Sequence, residues 1–272
     1  LLSFTSFNSP ATWQSVFLFF VAAGGRVMKK LIQQLLKGDK RAAAQLISLL
    51  ENDGESSSRI LRELRPFGGR AHLVGITGAP GSGKSTLIHG LIGLLRKRNK
   101  RVGVIAIDPT SPLTGGALLG DRIRMSGHFR DSGVFIRSMA TREGKGGLAR
   151  AAPGAAAVLD GLGMDVVFIE TTGVGQSETA VKKSVHMVVV VLTPGFGDAV
   201  QMMKAGVMEI GDIFVVNKGD LKNAAATAHE LEDTLSATRR GRGKTPVIVT
   251  TASKGKGLDR LLDAIEHTRK SK

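Results

Sequence analysis

Eight consecutive residues, Gly78-Ala79-Pro80-Gly81-Ser82-Gly83-Lys84-Ser85, constrain this chain more than any other stretch. They fit the pattern Gly-x-x-x-x-Gly-Lys-Ser/Thr. They also follow the apolar run Leu73 to Thr77 and precede a segment, Thr86 to Arg96, that carries Leu87, Ile88, Leu91, Ile92 and Leu95 at helical spacing. A strand, a glycine-rich turn and a helix in that order form a phosphate cradle. The glycines let backbone N–H groups wrap an anion, and the helix contributes the positive end of its dipole. In such a cradle Lys84 is expected to reach the β- and γ-phosphates and the Ser85 hydroxyl to ligate Mg²⁺, with Thr86 beside it.

The chain beyond Gly68 alternates apolar runs with amphipathic ones, which predicts an α/β fold with a mostly parallel sheet flanked by helices. The strand candidates are Leu73 to Thr77, Val102 to Ile107, Val134 to Ile136, Val166 to Ile169, Val188 to Leu192, Ile213 to Val216 and Val247 to Val249. Leu258, Leu261, Leu262 and Ile265 mark a last helix, and Val200, Met203, Val207 and Ile210 an earlier apolar stripe read as core. Pro153-Gly154 sits inside the helix before the fourth strand and is expected to kink or break it. Residues 28–67 read as a helical prefix. Asp39 is a candidate N-cap, Ala43, Leu46, Ile47 and Leu50 form one apolar face, and a short helix with Ile60, Leu61 and Leu64 ends at Pro66. Residues 1–27 carry no acid and a single base, Arg26, and they read as an extension upstream of a start at Met28. The apolar run Val16 to Ala23 has no Lys or Arg before it, so an export signal is not expected. Residues 68–272 then form the nucleotide-binding domain.

Composition removes several classes. Without cysteine there is no disulfide framework, thiolate metal site or cysteine nucleophile. No apolar run reaches the length of a membrane span, so a membrane role is not expected, and the cytoplasm is the default. Glycine, at 35 residues, is not periodic, which points to loops where backbone meets ligand rather than to a repeat. The net charge of +15 could steer nucleic acid. However, the basic runs Arg96-Lys97-Arg98-Asn99-Lys100-Arg101 and Arg239-Arg240-Gly241-Arg242 have few aromatic stacking platforms near them. A basic nucleic-acid-binding NTPase is therefore an alternative reading, and no nucleic-acid partner is expected.

The base is indicated by Asn217-Lys218-Gly219-Asp220, which follows the apolar run Ile213 to Val216. Guanine presents N1–H and a 2-amino group side by side, and the Asp220 carboxylate can accept both hydrogen bonds; adenine offers no such pair. Thr251-Ala252-Ser253, after the last strand, is expected to complete the purine pocket through backbone amides. Glu170-Thr171-Thr172-Gly173 ends the fourth strand, where an acid near Mg²⁺ and a glycine N–H for the γ-phosphate are expected. Asp108 and Asp121 are further acids placed to hold the ion or its waters.

These blocks together resemble the MeaB/ArgK-type GTPases, P-loop proteins of the SIMIBI class that act as chaperones of adenosylcobalamin-dependent methylmalonyl-CoA mutase and related acyl-CoA mutases. The resemblance rests on Gly78 to Ser85, on Ile107-Asp108-Pro109-Thr110-Ser111-Pro112, on Leu119-Gly120-Asp121-Arg122-Ile123-Arg124-Met125 and on Arg137-Ser138-Met139-Ala140-Thr141-Arg142. It also rests on Phe168-Ile169-Glu170-Thr171 with Gly173-Val174-Gly175-Gln176-Ser177-Glu178, and on Asn217 to Asp220. It implies the P-loop NTPase fold, GTP/GDP and Mg²⁺ as ligands, and Lys84, Asp108, Asp121 and Glu170 as catalytic and magnesium residues. The implied partner is an adenosylcobalamin-dependent acyl-CoA mutase whose cofactor loading the GTPase gates. No Asp-x-His-x-x-Gly sequence is present, so the cobalamin is not expected to be held here. Val174 stands where many signalling GTPases carry a water-orienting Gln, which implies slow intrinsic hydrolysis. Gln176 is the candidate for rearrangement, and Arg122, Arg124, Arg137 and Arg142 are the candidate charge stabilisers. The family continues into a C-terminal dimerisation arm, whereas this sequence stops at Lys272, so homodimerisation is left open. An older description of the same family, a kinase of lysine/arginine/ornithine transport, is a second alternative.

Overall fold

The computed structural model describes residues 27–52, 54–109, 126–128, 130–141, 147–171, 182–195, 207–238 and 245–270. Seven apolar runs become seven strands: β1 (His72–Thr77), β2 (Val102–Pro109), β3 (Val134–Thr141), β4 (Val166–Glu170), β5 (Met187–Leu192), β6 (Ile213–Val216) and β7 (Val247–Val249). They form one sheet in the order β3-β2-β4-β1-β5-β6-β7, and every neighbouring pair is parallel. Parallel strands need crossovers that cover both faces, and this is why β4, β5 and β6 are buried along their whole length and read as unbroken apolar runs. β2 and β3 extend two and five residues beyond the apolar runs that predict them. Their pairing continues through Asp108↔Ala140 and Pro109↔Thr141, carried by backbone bonds rather than by hydrophobic pattern.

One face carries α4 (Lys84–Lys97) and α8 (Leu258–Lys270), whose Leu87, Leu91, Leu261 and Ile265 pack on Val74, Ile76, Val104 and Phe168. The other face carries α5 (Gly147–Gly161) and α7 (Ala224–Thr238), with the short α6 (Val207–Ile210) nearby. The N-terminal helices join that second face. These are α1, residues 27–36, α2 (Lys40–Asn52) and α3 (Gly54–Leu64), and their Leu35, Leu46, Ile47 and Ile60 share one cluster with Ile105, Met139 and Val167 of the sheet. Among the described residues, no helix is long and apolar enough to cross a membrane.

Asp39 caps α2 as its sequence predicts, its Oδ1 accepting the N–H groups of Arg41 at 2.7 Å and Ala42 at 3.3 Å. The helix is then fastened along the edge strand β3 at both ends. Lys40 Nζ donates to the carbonyls of Asp131 (3.0 Å) and Val134 (2.7 Å), and burial pushes this ammonium below its ordinary pKa against the pull of Asp131. Towards the far end of α2, Glu51 Oε2 accepts from Arg137 at 2.6 Å, and Ser48 Oγ accepts from the same guanidinium at 3.0 Å. Arg137 therefore ties the prefix to β3. Arg122, Arg124, Arg142, Val174 and Gln176 lie outside the described residues, as do Val200 and Met203.

Pro153-Gly154 does not break its helix. α5 runs through both residues, losing the one N–H that proline lacks while Ala151, Ala152, Ala155, Ala156, Val158 and Leu159 stay buried on both sides of it. Gly154 serves packing instead: a Cβ there would stand 3.1 Å from Leu50 Cδ1 and 3.2 Å from Cδ2, so the missing side chain lets α2 approach α5. Gly154→Val is expected to cost about 1–3 kcal/mol through overpacking. Leu50→Ala in the same chain should return part of that loss in urea denaturation, and an unchanged midpoint for Gly154→Val would contradict the close approach.

Candidate functional site

The site forms where the C-terminal ends of β1, β2, β4, β6 and β7 open on one edge of the sheet, the usual place for a ligand in an open α/β sheet. β1, in the middle, leads into the glycine loop. Gly78 has φ +148°, and a Cβ on it would collide with the carbonyl of Val191 on the neighbouring β5, so only glycine lets the loop leave the sheet there. The loop closes on itself through Ser82 N–H to Ala79 O at 3.1 Å, with Pro80 and Gly81 exposed at its tip. Gly83, left-handed at φ 92°, is the N-cap of α4 and provides no side-chain cap, so the first N–H groups of the helix face the loop's hollow.

Lys84 and Ser85 open α4 and are both buried, with Thr86 half-buried after them. Lys84 Nζ folds back to the carbonyls of Gly78 (2.8 Å) and Ala79 (3.1 Å), which sets the ammonium across the mouth of the loop. The Ser85 hydroxyl donates to Glu170 Oε1 at 2.8 Å. Glu170 reaches this position through strand register, since the last residue of β4 lies level with Ile76 on β1 and Ala106 on β2. Thr171 follows, its N–H on Ile76 O (3.0 Å) and its hydroxyl on Thr77 Oγ1 (2.9 Å). The loop serine and the strand-end glutamate, 85 residues apart in sequence, thus form one pair of hard oxygen donors. Asp108 stands in the backbone of β2 close to its end. Asp121 and Gly173 lie outside the described residues.

The second motif is built around Asn217. This side chain is 3% exposed, and its amide orientation is fixed by its partners. Nδ2 donates to Ser82 O at 2.9 Å, while Oδ1 accepts from Thr250 Oγ1 at 3.0 Å and from Ala252 N–H at 3.1 Å. One buried amide therefore joins the glycine loop, the end of β6 and the turn after β7. Gly83 belongs to the same contact, because a Cβ on it would collide with Asn217 Nδ2. Lys218 takes a left-handed φ of 56°, and the N–H of Gly219 bonds Thr250 O at 2.8 Å, so the tight reversal presents Asp220 at the exposed rim. There Lys254 Nζ lies 2.9 Å from Asp220 Oδ2, and this ammonium holds the carboxyl below the usual carboxylate range.

The third segment departs in part from its expected use. Among Thr251, Ala252 and Ser253, the Thr251 N–H is bonded to Lys256 O (3.0 Å) and the Ala252 N–H to Asn217, so these two amides build the turn itself. Two contributors are not named by sequence reasoning. Thr250 has no motif to mark it. Lys254 was legible only as a cation two residues after Ala252.

A glycine cradle at the central strand of a parallel sheet, with an uncapped helix behind it and a serine–acid pair beside it, defines a P-loop nucleotide-binding protein. Comparison with known proteins narrows this. The family model described as Methylmalonyl Co-A mutase-associated GTPase MeaB matches residues 43–272, and the chain belongs to that family. A relative from Pyrococcus abyssi is 54% identical over 247 residues, 89% of this chain and 76% of its own length. GTPase ArgK of Escherichia coli is 35% identical over 243 residues, 86% of this chain and 73% of its own. Among solved structures, one described as a LAO/AO transport system kinase superposes with a TM-score of 0.73 at 29% identity, covering 90% of this chain and 76% of that one.

Because Asn217 serves three segments at once, Asn217→Ala is expected to leave Ser82 O, Thr250 Oγ1 and the Ala252 N–H without their partner. That should lower stability by about 1–3 kcal/mol. Asn217→Asp keeps an acceptor for Thr250 and Ala252 but sets a buried carboxylate oxygen against the Ser82 carbonyl, so in urea melts it too should lose stability relative to wild type. Equal stability of all three chains would contradict the tie.

Proposed function

We propose that this chain binds GTP with Mg²⁺ and hydrolyses it slowly to GDP and phosphate, and that this cycle gates adenosylcobalamin loading or protection of an acyl-CoA mutase such as methylmalonyl-CoA mutase. The carrying observation is the Asn217 bridge, which locks a phosphate cradle and a carboxylate suited to guanine into one frame. In this reading Gly78 to Thr86 wrap the phosphates, Asp220 reads N1–H and the 2-amino group, and Lys218 with Thr251 to Ser253 borders the purine. The donor set at Ser85 and Glu170 suits a hard cation, with Asp108 and Asp121 as further holders of the ion or its water. When bound, Mg²⁺ supplies charge neutralisation on the phosphate oxygens. Lys84 swings from the Gly78 and Ala79 carbonyls to the β- and γ-phosphates and stabilises the charge that develops as water bonds to the γ-phosphorus and the bond to the bridging oxygen breaks. Glu170 orients water, and the Gly173 N–H meets the γ-phosphate.

The partner assignment rests on the family's description as mutase-associated. It is also supported by a Caenorhabditis elegans relative, 40% identical over 215 residues, 73% of this chain and 54% of its own length, named as a mitochondrial methylmalonic aciduria type A homolog. The cytoplasm is the proposed compartment. A kinase reading is favoured only by the name given to the similar transport-system structure, and it would require γ-phosphate transfer to a protein acceptor rather than to water.

Lys84→Ala is expected to lower GTP turnover at least about 100-fold. Asp220→Asn should move base preference from guanine towards xanthine, whose 2-oxo group accepts where guanine donates. Phosphate release at the wild-type rate in Lys84→Ala would contradict this mechanism, and label transferred to protein instead of released would favour the kinase.

A further inference from the structure

Asp220 and Lys254 form an ion pair at the exposed rim of the site, with side-chain exposures of 45% and 57%. A pair this open contributes little to folding, because solvent screens it and holding two side chains together costs entropy. Yet the backbone on both sides is fixed. The Lys254 arm is a short loop in which the Lys254 N–H bonds Thr251 O at 2.9 Å and Gly255 closes the turn at φ 69°. An isolated bridge between Thr251 and Lys256 then returns the chain. Gly257 belongs to the same device, since its φ is 78° and a Cβ on it would meet the carbonyl of Val249. The Asp220 arm is the reversal at Lys218, closed by the Leu221 N–H on Lys218 O at 3.0 Å and fastened to the end of β7 by Gly219. Gly219 too has no room for a side chain, because a Cβ there would stand 2.7 Å from Val249 Cγ1. Two rigid turns therefore bring one ammonium to one carboxylate oxygen, Oδ2, at 2.9 Å.

We propose that Lys254 is a positioning residue for base recognition: by holding Asp220 Oδ2 it fixes the plane of the carboxylate so that both of its oxygens can accept from guanine at once. This rests on the reading of Asp220 as the guanine acceptor. A carboxylate oxygen has two acceptor directions, so Oδ2 can keep the lysine and still take a base N–H. Without the lysine, the carboxylate of an exposed side chain turns freely about its last bond and must be ordered by the base itself, which weakens the two-point contact more than a one-point contact. The charges that face Asp220 are Lys254 and Lys256 from the loop after β7, and the first holds the carboxylate ionised to lower pH.

The test uses the full chain with Mg²⁺ and three diphosphates, GDP, IDP and ADP, in titration calorimetry. IDP keeps N1–H and lacks the 2-amino group, so the GDP-to-IDP affinity ratio reports the second hydrogen bond. Lys254→Met is expected to reduce GDP affinity about 3- to 10-fold and to lower the GDP-to-IDP ratio. It should also move the acid loss of GDP binding to higher pH, since Asp220 would then take a proton sooner, while the thermal midpoint stays where it was. Lys254→Arg should restore the ratio. If Lys254 acted only as a distant attraction for phosphate, GDP and IDP would weaken equally, and that result would overturn the proposal. Unchanged or tighter GDP binding in Lys254→Met would do the same. Asp220→Asn separates the two levels: if it leaves guanine preference intact, the guanine reading itself fails, whatever Lys254 does.

Discussion

The buried amide of Asn217 is the interaction on which the arrangement of the site depends. It lies at the end of β6, two strands away from β1, yet it reaches the carbonyl of Ser82 in the glycine loop and takes two donors from the turn after β7. A neutral amide carries a donor and an acceptor on separate arms, so it can join a carbonyl to an N–H and a hydroxyl without burying a charge. The glycine at position 83 is part of the same requirement, since any side chain there would displace the amide. The glycine loop and the turn that carries Asp220 are therefore set relative to one another by a buried hydrogen-bond network.

The sheet provides the platform for that network. Register brings Glu170 to the serine that opens α4, and the parallel order places every strand end that carries a polar candidate on the same edge. On the opposite flank, the N-terminal helices are bound to the edge strand β3 by charge as well as by apolar contact, through Lys40 at one end of α2 and the Arg137–Glu51 pair at the other. β3 and β2 run in register up to Thr141 and Pro109, so the prefix is fastened to the strand that pairs with the one bearing Asp108.

Much of this was legible in the sequence, for physical reasons. The seven strands announced themselves because both faces of a parallel sheet are covered, which forces apolar runs. The loop announced itself because phosphate binding restricts residues at fixed spacing. What escaped was decided by contacts between distant segments. Pro153-Gly154 looked like a helix breaker, and only the approach of Leu50 shows why a glycine is needed there within a continuous helix. Arg137 looked like any motif arginine until Glu51 was found beside it, and β3 ran past its apolar run because its end is held by backbone bonds to β2. The pairing of Lys254 with Asp220 follows from two backbone turns whose glycines carry no sequence signature of their own.

The central claim is that base and phosphate are read together by one frame. Titration calorimetry of the intact chain with Mg²⁺, comparing GDP with ADP, tests this most directly. GDP should bind at least about 100-fold more tightly, because adenine leaves the Asp220 carboxylate facing a group that cannot satisfy it. Equal affinity for the two nucleotides, or no binding of either, would contradict it.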